Sequence, residues 1–266
     1  MIMEKVRLDV LLVSRGYYES REKAQANIKS GNVYVDGIVC NKPGTKVDSN
    51  VNITIKGDII PYVSRGGLKL ERALKVFNIS VEGKVAMDIG ASTGGFTDCL
   101  LQNGAAKVYA IDAGYAQLDR KLRNDKRVVC MEKTNARYLK RCDIPDPIDI
   151  VTIDVSFISV KKIIPVVSEF ITDGDIISLV KPQFEAGQQY VGKKGVVKDP
   201  RVHEAVLKSV IDEALKNCMT LLNLTYSPIR GPEGNIEFFI HLKKGNANIN
   251  IDKKITDVVK EAHRNL

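Results

Sequence analysis

The stretch VAMDIGASTGGFTDCLL, residues 85–101, decides the reading of the fold. A hydrophobic run carrying Asp88 leads into glycines at 90, 94 and 95, and an apolar pattern of helical period then resumes. A glycine-rich turn between a strand and a helix lets the backbone approach a ligand closely, and that strand–loop–helix context gives the loop meaning. No Lys-Ser/Thr pair follows, which excludes a Walker A phosphate cradle. The spacing G-x-x-x-G-G also differs from the G-x-G-x-x-G of most dinucleotide sites and speaks against hydride transfer.

Two acids narrow the ligand. Asp88 stands two residues before Gly90, where it suits a cofactor with a cationic amino acid group. Asp112 ends the next strand, VYAID, where a carboxylate can accept both hydroxyls of a ribose. Together they point to S-adenosylmethionine (SAM), with the amides of the Gly90–Gly95 loop expected to hold its methionine portion.

Outward from the loop, strands alternate with helices from residue 84. The strands are KVAMDIG, KVYAID, RVVCME, IDIVTID and DIISLVK; the helices include FTDCLLQNG, VKKIIPVVSEFI and RVHEAVLKSVIDEALKNC. That alternation predicts an α/β fold with a mostly parallel, doubly wound, Rossmann-like sheet covered on both faces. CMTLLNLTYSPI and NIEFFIHLKKG add two strands, and the tail 246–266 reads as a short polar-faced helix.

The N-terminal region has another character. Helices are expected over 6–13, closed by Gly16, and over 21–30, capped by Ser20 and stopped by Gly31. Short strands follow in NVYVDG, IVCNKPG and NVNITIKGD. The expected organisation is a small α+β domain over 1–60, an interdomain linker over 61–67 and the large domain over 68–266.

Composition bounds the partners. The 266 residues carry a net charge of +8, which fits a nucleic-acid partner. Five cysteines are scattered without a C-x-x-C pair, so neither a zinc site nor a disulfide framework is expected, and no metal is implied. No apolar run approaches the ~20 residues that span a bilayer. The expected location is the cytoplasm.

Ligands in open α/β sheets bind beyond the carboxyl ends of the parallel strands. Asp154 ends IDIVTID and Lys181 ends DIISLVK, so both should reach that crevice. Glu237 begins NIEFFIHL and shares the edge if its strand runs antiparallel, while Lys69 lies on the helix entering the domain. Methylating a ribose 2′-hydroxyl requires a base, and a lysine amine serves once it has lost its proton. A second lysine favours that loss, while carboxylates orient the amine and oppose it. No Asp/Asn-Pro-Pro-aromatic segment follows the fourth strand, where DVSF stands, and no Pro-Cys follows the fifth, where KPQFE stands. Amino-group and cytosine C5 methylation are therefore disfavoured, and oxygen methylation survives.

The segments DIGASTGGFTDCLL, YVSRGGLKLERAL, IDVSFIS, LVKPQFE and GPEGNIEFF together resemble the TlyA family of ribosomal RNA 2′-O-methyltransferases over essentially the whole chain. The resemblance implies an S4 RNA-binding domain followed by an FtsJ-like methyltransferase domain. It implies a catalytic set at Lys69, Asp154, Lys181 and Glu237, the same four residues reached above. It places SAM contacts at Asp88, Gly90, Ala91, Ser92, Gly94, Gly95 and Phe96, at Asp112, and at Asn135, where FtsJ-type enzymes carry an acid. The implied substrate is a cytidine of ribosomal RNA within ribosomal subunits. RNA contacts are expected from Arg15, Arg21, Lys23, Lys29, Lys42 and Arg65, with Lys46 beside the same turn as Lys42. Family members are also called hemolysins, but no insertable amphipathic segment supports a lytic activity. Pseudouridine synthases also carry S4 units, and RLD at 7–9 is superficially similar to their catalytic Asp motif; here Asp9 opens an apolar helix and reads as structural. A non-catalytic RNA-binding factor is the remaining alternative, opposed by the complete charged quartet.

Overall fold

The computed structural model describes residues 5–56, 60–245 and 250–266. The end of the segment NVNITIKGD and the start of the 246–266 tail lie outside the described residues, as do residues 1–4.

In the small domain, β1 (Lys5–Arg7) precedes α1 (Leu8–Ser14) and α2 (Arg21–Lys29), followed by β2 (Val33–Val35), β3 (Ile38–Val39), β4 (Lys46–Asp48) and β5 (Ile53–Ile55). Ser20 caps α2 by accepting from the Lys23 amide, and Gly16 and Gly31 leave their helices in the left-handed region. The first helix starts later than its apolar period suggests. Lys5–Arg7 instead pairs antiparallel with β4, Val6 opposite Val47, so Lys46 belongs to a strand and not to a turn. Leu8, Leu12, Ala24, Ile28 and Val33 form the centre of this domain's own core.

Asp9 is wholly buried at the start of α1. It accepts from Arg7 (2.8 and 3.0 Å), Arg21 (3.1 Å) and Gln25 (2.8 Å), and the Arg7 guanidinium foremost holds its carboxyl well below the usual carboxylate range. It ties α1 to α2, a structural role.

The expected linker is packed. Asn27 Oδ1 accepts from the Ile60 amide (3.2 Å), and the Val63 amide donates to Asp98 (2.9 Å). Ile60 and Tyr62 join the large domain's core. Gly66 and Gly67 already form the first turn of α3 (Gly66–Phe77), and the Tyr62 ring lies where a side chain at 67 would stand, which requires glycine there.

The large domain continues with β6 (Val85–Ile89), α4 (Gly95–Gln102), β7 (Lys107–Ile111), α5 (Arg120–Arg123), β8 (Val128–Met131), β9 (Ile150–Ile153), α6 (Ile164–Ser168), β10 (Asp175–Val180), α7 (Pro182–Glu185), α8 (Pro200–Lys216), β11 (Met219–Tyr226), β12 (Phe238–Lys244) and α9 (Ile251–Asn265). The sheet order is β11-β12-β10-β9-β6-β7-β8, with β12 antiparallel to both neighbours and the other pairings parallel. Alternate residues feed two cores. Ala86, Val108, Ile177 and Leu179 meet α3 and α4, while Met87, Tyr109, Ile176 and Val180 belong to the layer containing α6, α8 and α9. Burial on both faces explains why these strands read as continuous hydrophobic runs. The tail is more than a polar-faced helix: α9 buries Ile255, Val259 and Ala262. Among the described residues no helix is long and apolar enough to cross a membrane.

Candidate active site

Strand register brings the charged residues to one edge. Val180 pairs with Phe238, so Lys181 and Glu237 lie one residue beyond that pair on the same side. Asp154 follows β9, whose Ile153 is level with Ile89 of β6 and Ser178 of β10. Lys69 reaches the edge from α3. Its amine donates to Glu237 Oε2 at 2.5 Å, and both side chains are nearly solvent-free. Lys181 donates to Ser156 Oγ (2.9 Å) and lies 2.7 Å from Asp154 Oδ1. All four line one cavity of about 680 Å³, within the range that accepts a nucleotide-sized ligand.

The glycine loop forms the floor beside them. Gly90 has φ +85°, and a Cβ there would stand 2.5 Å from the Asp154 carbonyl oxygen. Gly94 has φ +95°, with Leu122 where its side chain would be. Ser92, at φ +47°, completes the turn. Gly90, Ala91, Ser92, Gly95 and Phe96 face the larger cavity. The loop amides differ from expectation. Those of Gly90 and Ala91 donate to the Ile111 carbonyl, that of Ser92 to Asp112 (2.8 Å) and that of Gly94 to Ala91 (2.7 Å). Most of the loop's donors therefore build the loop.

Asp88 also departs from expectation. It is 0% exposed, lines neither cavity at this edge, and accepts from Thr97 Oγ1 (2.7 Å) and Thr152 Oγ1 (3.0 Å). Strand alternation turns it, with Ala86, toward the α3–α4 layer. Burial raises its carboxyl to about 7, with the Asp154 charge adding to the rise against the two hydroxyls. Asp88 braces β6, α4 and β9 and contacts no ligand space.

A second cavity of about 390 Å³ adjoins the first and shares Gly90, Ser92, Asp154 and Phe157 with it. Asp112 and Asn135 line it. Asp112 accepts from the amides of Ser92 and Gly114 (2.6 Å), and Asn135 Oδ1 caps the turn beginning at Ala136 by accepting from the Arg137 amide.

Several lining residues had not been anticipated. Ser156, Phe157, Gln183 and Phe184 directly follow the strand-end residues Asp154 and Lys181, a proximity that could have identified them. Arg230 precedes GPEGNIEFF. The participation of α2 through Gln25 has no sequence signal, because it depends on how the domains meet; Lys29 of the same helix was expected as an RNA contact.

The six expected RNA-contact residues separate into groups. Lys29 and Arg65 line the large cavity. Arg15 donates to the carbonyls of Ser49 (2.5 Å) and Val51 (2.8 Å), Arg21 holds Asp9, and Lys23 pairs with Glu19. Lys42 is exposed outside both cavities.

A parallel sheet with one reversed strand, a glycine loop and charged groups at its carboxyl edge define a methyltransferase fold. Residues 62–244 match the FtsJ-like methyltransferase family and residues 6–53 match the S4 domain. The chain belongs to the TlyA family, whose members join these two domains. It is 51% identical to a Bacillus subtilis protein named as a candidate rRNA methyltransferase, YqxC, over 100% of this chain and 97% of that protein. It is 42% identical to the 16S/23S rRNA (cytidine-2′-O)-methyltransferase TlyA of Mycobacterium tuberculosis, over 97% of each. A solved structure from Streptococcus thermophilus, described as a hemolysin, superposes with a TM-score of 0.79 at 45% identity, covering 99% of this chain and 97% of that one.

Proposed function

We propose that the protein methylates the ribose 2′-oxygen of cytidine in ribosomal RNA, using SAM. One observation carries this reading: two lysine–carboxylate pairs, Lys181 with Asp154 and Lys69 with Glu237, share one cavity with the glycine loop. The names of the 42%-identical relatives supply the choice of cytidine and of ribosomal RNA.

The residues fit SAM. Its ribose belongs against Asp112, whose carboxylate lines the smaller cavity, and its adenine beside Asn135. Gly90, Ala91, Ser92, Gly95 and Phe96 form the wall for the methionine portion; Gly90 lets the Asp154 backbone pack close against the loop, and Gly94 faces Leu122, outside both cavities. When bound, SAM supplies a methyl group on a sulfonium centre that an oxygen nucleophile can take.

The chain's own groups handle the proton. Lys181 is the acceptor for the 2′-hydroxyl proton, and Asp154 and Ser156 fix where its amine sits. Lys69, held by Glu237, adds a second positive charge to the same cavity. Charge entering with the target nucleotide's phosphates meets Lys29 and Arg65 at the cavity wall. The S4 domain over 1–60 docks the RNA, and the segment from residue 61 carries it to the methyltransferase domain.

Lys181→Ala tests the assignment. It should bind SAM and RNA as the parent does and lose methyl transfer by at least the ~10²-fold typical of removing a general base. Mass spectrometry of ribosomal RNA from single-turnover reactions reads both rate and nucleotide. A near-normal rate in this variant would move the role to Lys69. RNA left unmodified by the parent protein would favour a binding factor.

A further inference from the structure

Two short segments meet beside Lys181. One follows Asp154 out of β9, residues 155–160; the other is α7, which follows Lys181 out of β10. Three links join them. Lys181 reaches across to Ser156 and Asp154, and the rings of Phe157 and Phe184 lie 5.0 Å apart. The third link is a carboxylate: Glu185 Oε2 accepts from Ser159 Oγ at 2.6 Å, and Oε1 accepts from the Val160 amide at 2.7 Å.

Glu185 lines neither cavity, so it acts on the site only through these contacts. The segment it grips needs a restraint. Phe157 adopts φ +62°, left-handed backbone that a bulky residue disfavours, while its ring is 91% exposed. Burial of that ring cannot hold the conformation. The cation acting on Glu185 is Lys161, whose amine is bound to Ser209 Oγ (3.0 Å), so the carboxylate's hydrogen bonds go to the segment.

We propose that Glu185 is a positioning residue: it clamps residues 156–160 onto α7 and thereby fixes Ser156 and Asp154 around the Lys181 amine. The proposal rests on Lys181 being the proton acceptor, and it assigns Glu185 no contact with substrate. Loss of the clamp should let Ser156 and Asp154 drift from the amine, weakening its hold on a proton. The charged groups Asp154, Glu237 and Lys69 share the cavity with Lys181.

The experiment is competitive labelling of the full-length protein with acetic anhydride across pH, reading Lys181 by mass spectrometry with exposed Lys133 as reference. In Glu185→Ala the Lys181 labelling profile should move to lower pH, with Lys133 and SAM affinity unchanged. Single-turnover methylation by that variant should fall about 10- to 100-fold, as small misplacements of a reacting group do. Glu185→Gln can make both hydrogen bonds and should restore profile and rate. If Glu185→Ala fails to fold, Ser159→Ala removes one bond of the two and should give a smaller shift of the same sign. An unmoved Lys181 profile in a folded variant, or a defect that Glu185→Gln shares in full, overturns the proposal. Labelling does not require methyl transfer, so an inactive parent protein would count against the proposed function and leave this result readable.

Discussion

Asp88 illustrates how a residue in a recognisable motif can serve folding. An acid whose carboxyl rises to about 7 in the folded protein, against about 3.9 unfolded, keeps its proton when the unfolded chain has shed it. Its contribution is fully present below pH 4 and is lost as pH rises to about 7. His203 acts in the opposite sense over part of that window. It is buried between Val197 and His263, and burial lowers it to about 4, so stability from this group grows as pH rises from about 4 to 6.5. The parent's pH profile is therefore a sum. Asp88→Asn keeps partners for Thr97 and Thr152 and removes the titrating carboxyl. The variant should gain stability relative to the parent as pH climbs from 4 to 7, by up to about 4 kcal/mol at ~1.4 kcal/mol per pH unit. Urea denaturation of both proteins across that range checks it, and parallel profiles would show that Asp88 stays ionised.

At the scale of elements, the glycine loop separates two costs that sequence alone merges. Gly16 and Gly90 both have positive φ, yet a Cβ at Gly16 meets nothing within 4 Å, whereas one at Gly90 meets the Asp154 carbonyl and the Val155 backbone. Gly16→Ala should cost about 1 kcal/mol, the penalty for left-handed backbone alone. Gly90→Ala should cost more than about 2 kcal/mol and also weaken SAM binding, because β9 must retreat from β6. Thermal melts with SAM titration measure both; equal losses would mean that the loop has slack around Asp154. The long buried strands were legible because both faces feed a core, so β6, β7, β9 and β10 announce themselves as apolar runs. Asp154, Lys181 and Glu237 were legible for the same reason, since each terminates or opens such a run, whereas Lys69 sits inside α3. β1 and β4 were not, being three-residue strands that exist through each other's pairing. Nor was the packing of α9, whose Ile255, Val259 and Ala262 sit in a tail that reads as polar-faced. Asp88 and the loop amides were misread because motif spacing does not reveal which donors and acceptors the fold itself consumes.

At the scale of the whole molecule, the large cavity has walls from both domains. Gln25 and Lys29 of α2 face the same space as Lys69 and Lys181, and Asn27, Ile60, Val63 and Asp98 fix that arrangement through two hydrogen bonds. If RNA docks on the small domain as proposed, this arrangement holds it in register with the cavity, which phosphate contacts alone can achieve without reading a base. Binding of the intact protein to ribosomal RNA should weaken steeply with salt, as release of counterions from the phosphates requires. Deleting residues 1–59 leaves Ile60 and Tyr62 in the large domain's core, together with every residue assigned to SAM. The truncated protein should therefore fold and bind SAM with near-parent affinity. It should not methylate ribosomal RNA, because one wall of the cavity and the docking surface are both gone. SAM titration establishes the fold of the fragment, and methylation of ribosomal subunits by parent and fragment at matched SAM occupancy then measures what the small domain contributes. Parent-level activity at the parent's nucleotide from the fragment would show that the methyltransferase domain finds its own target, with α2 only a neighbour of the cavity.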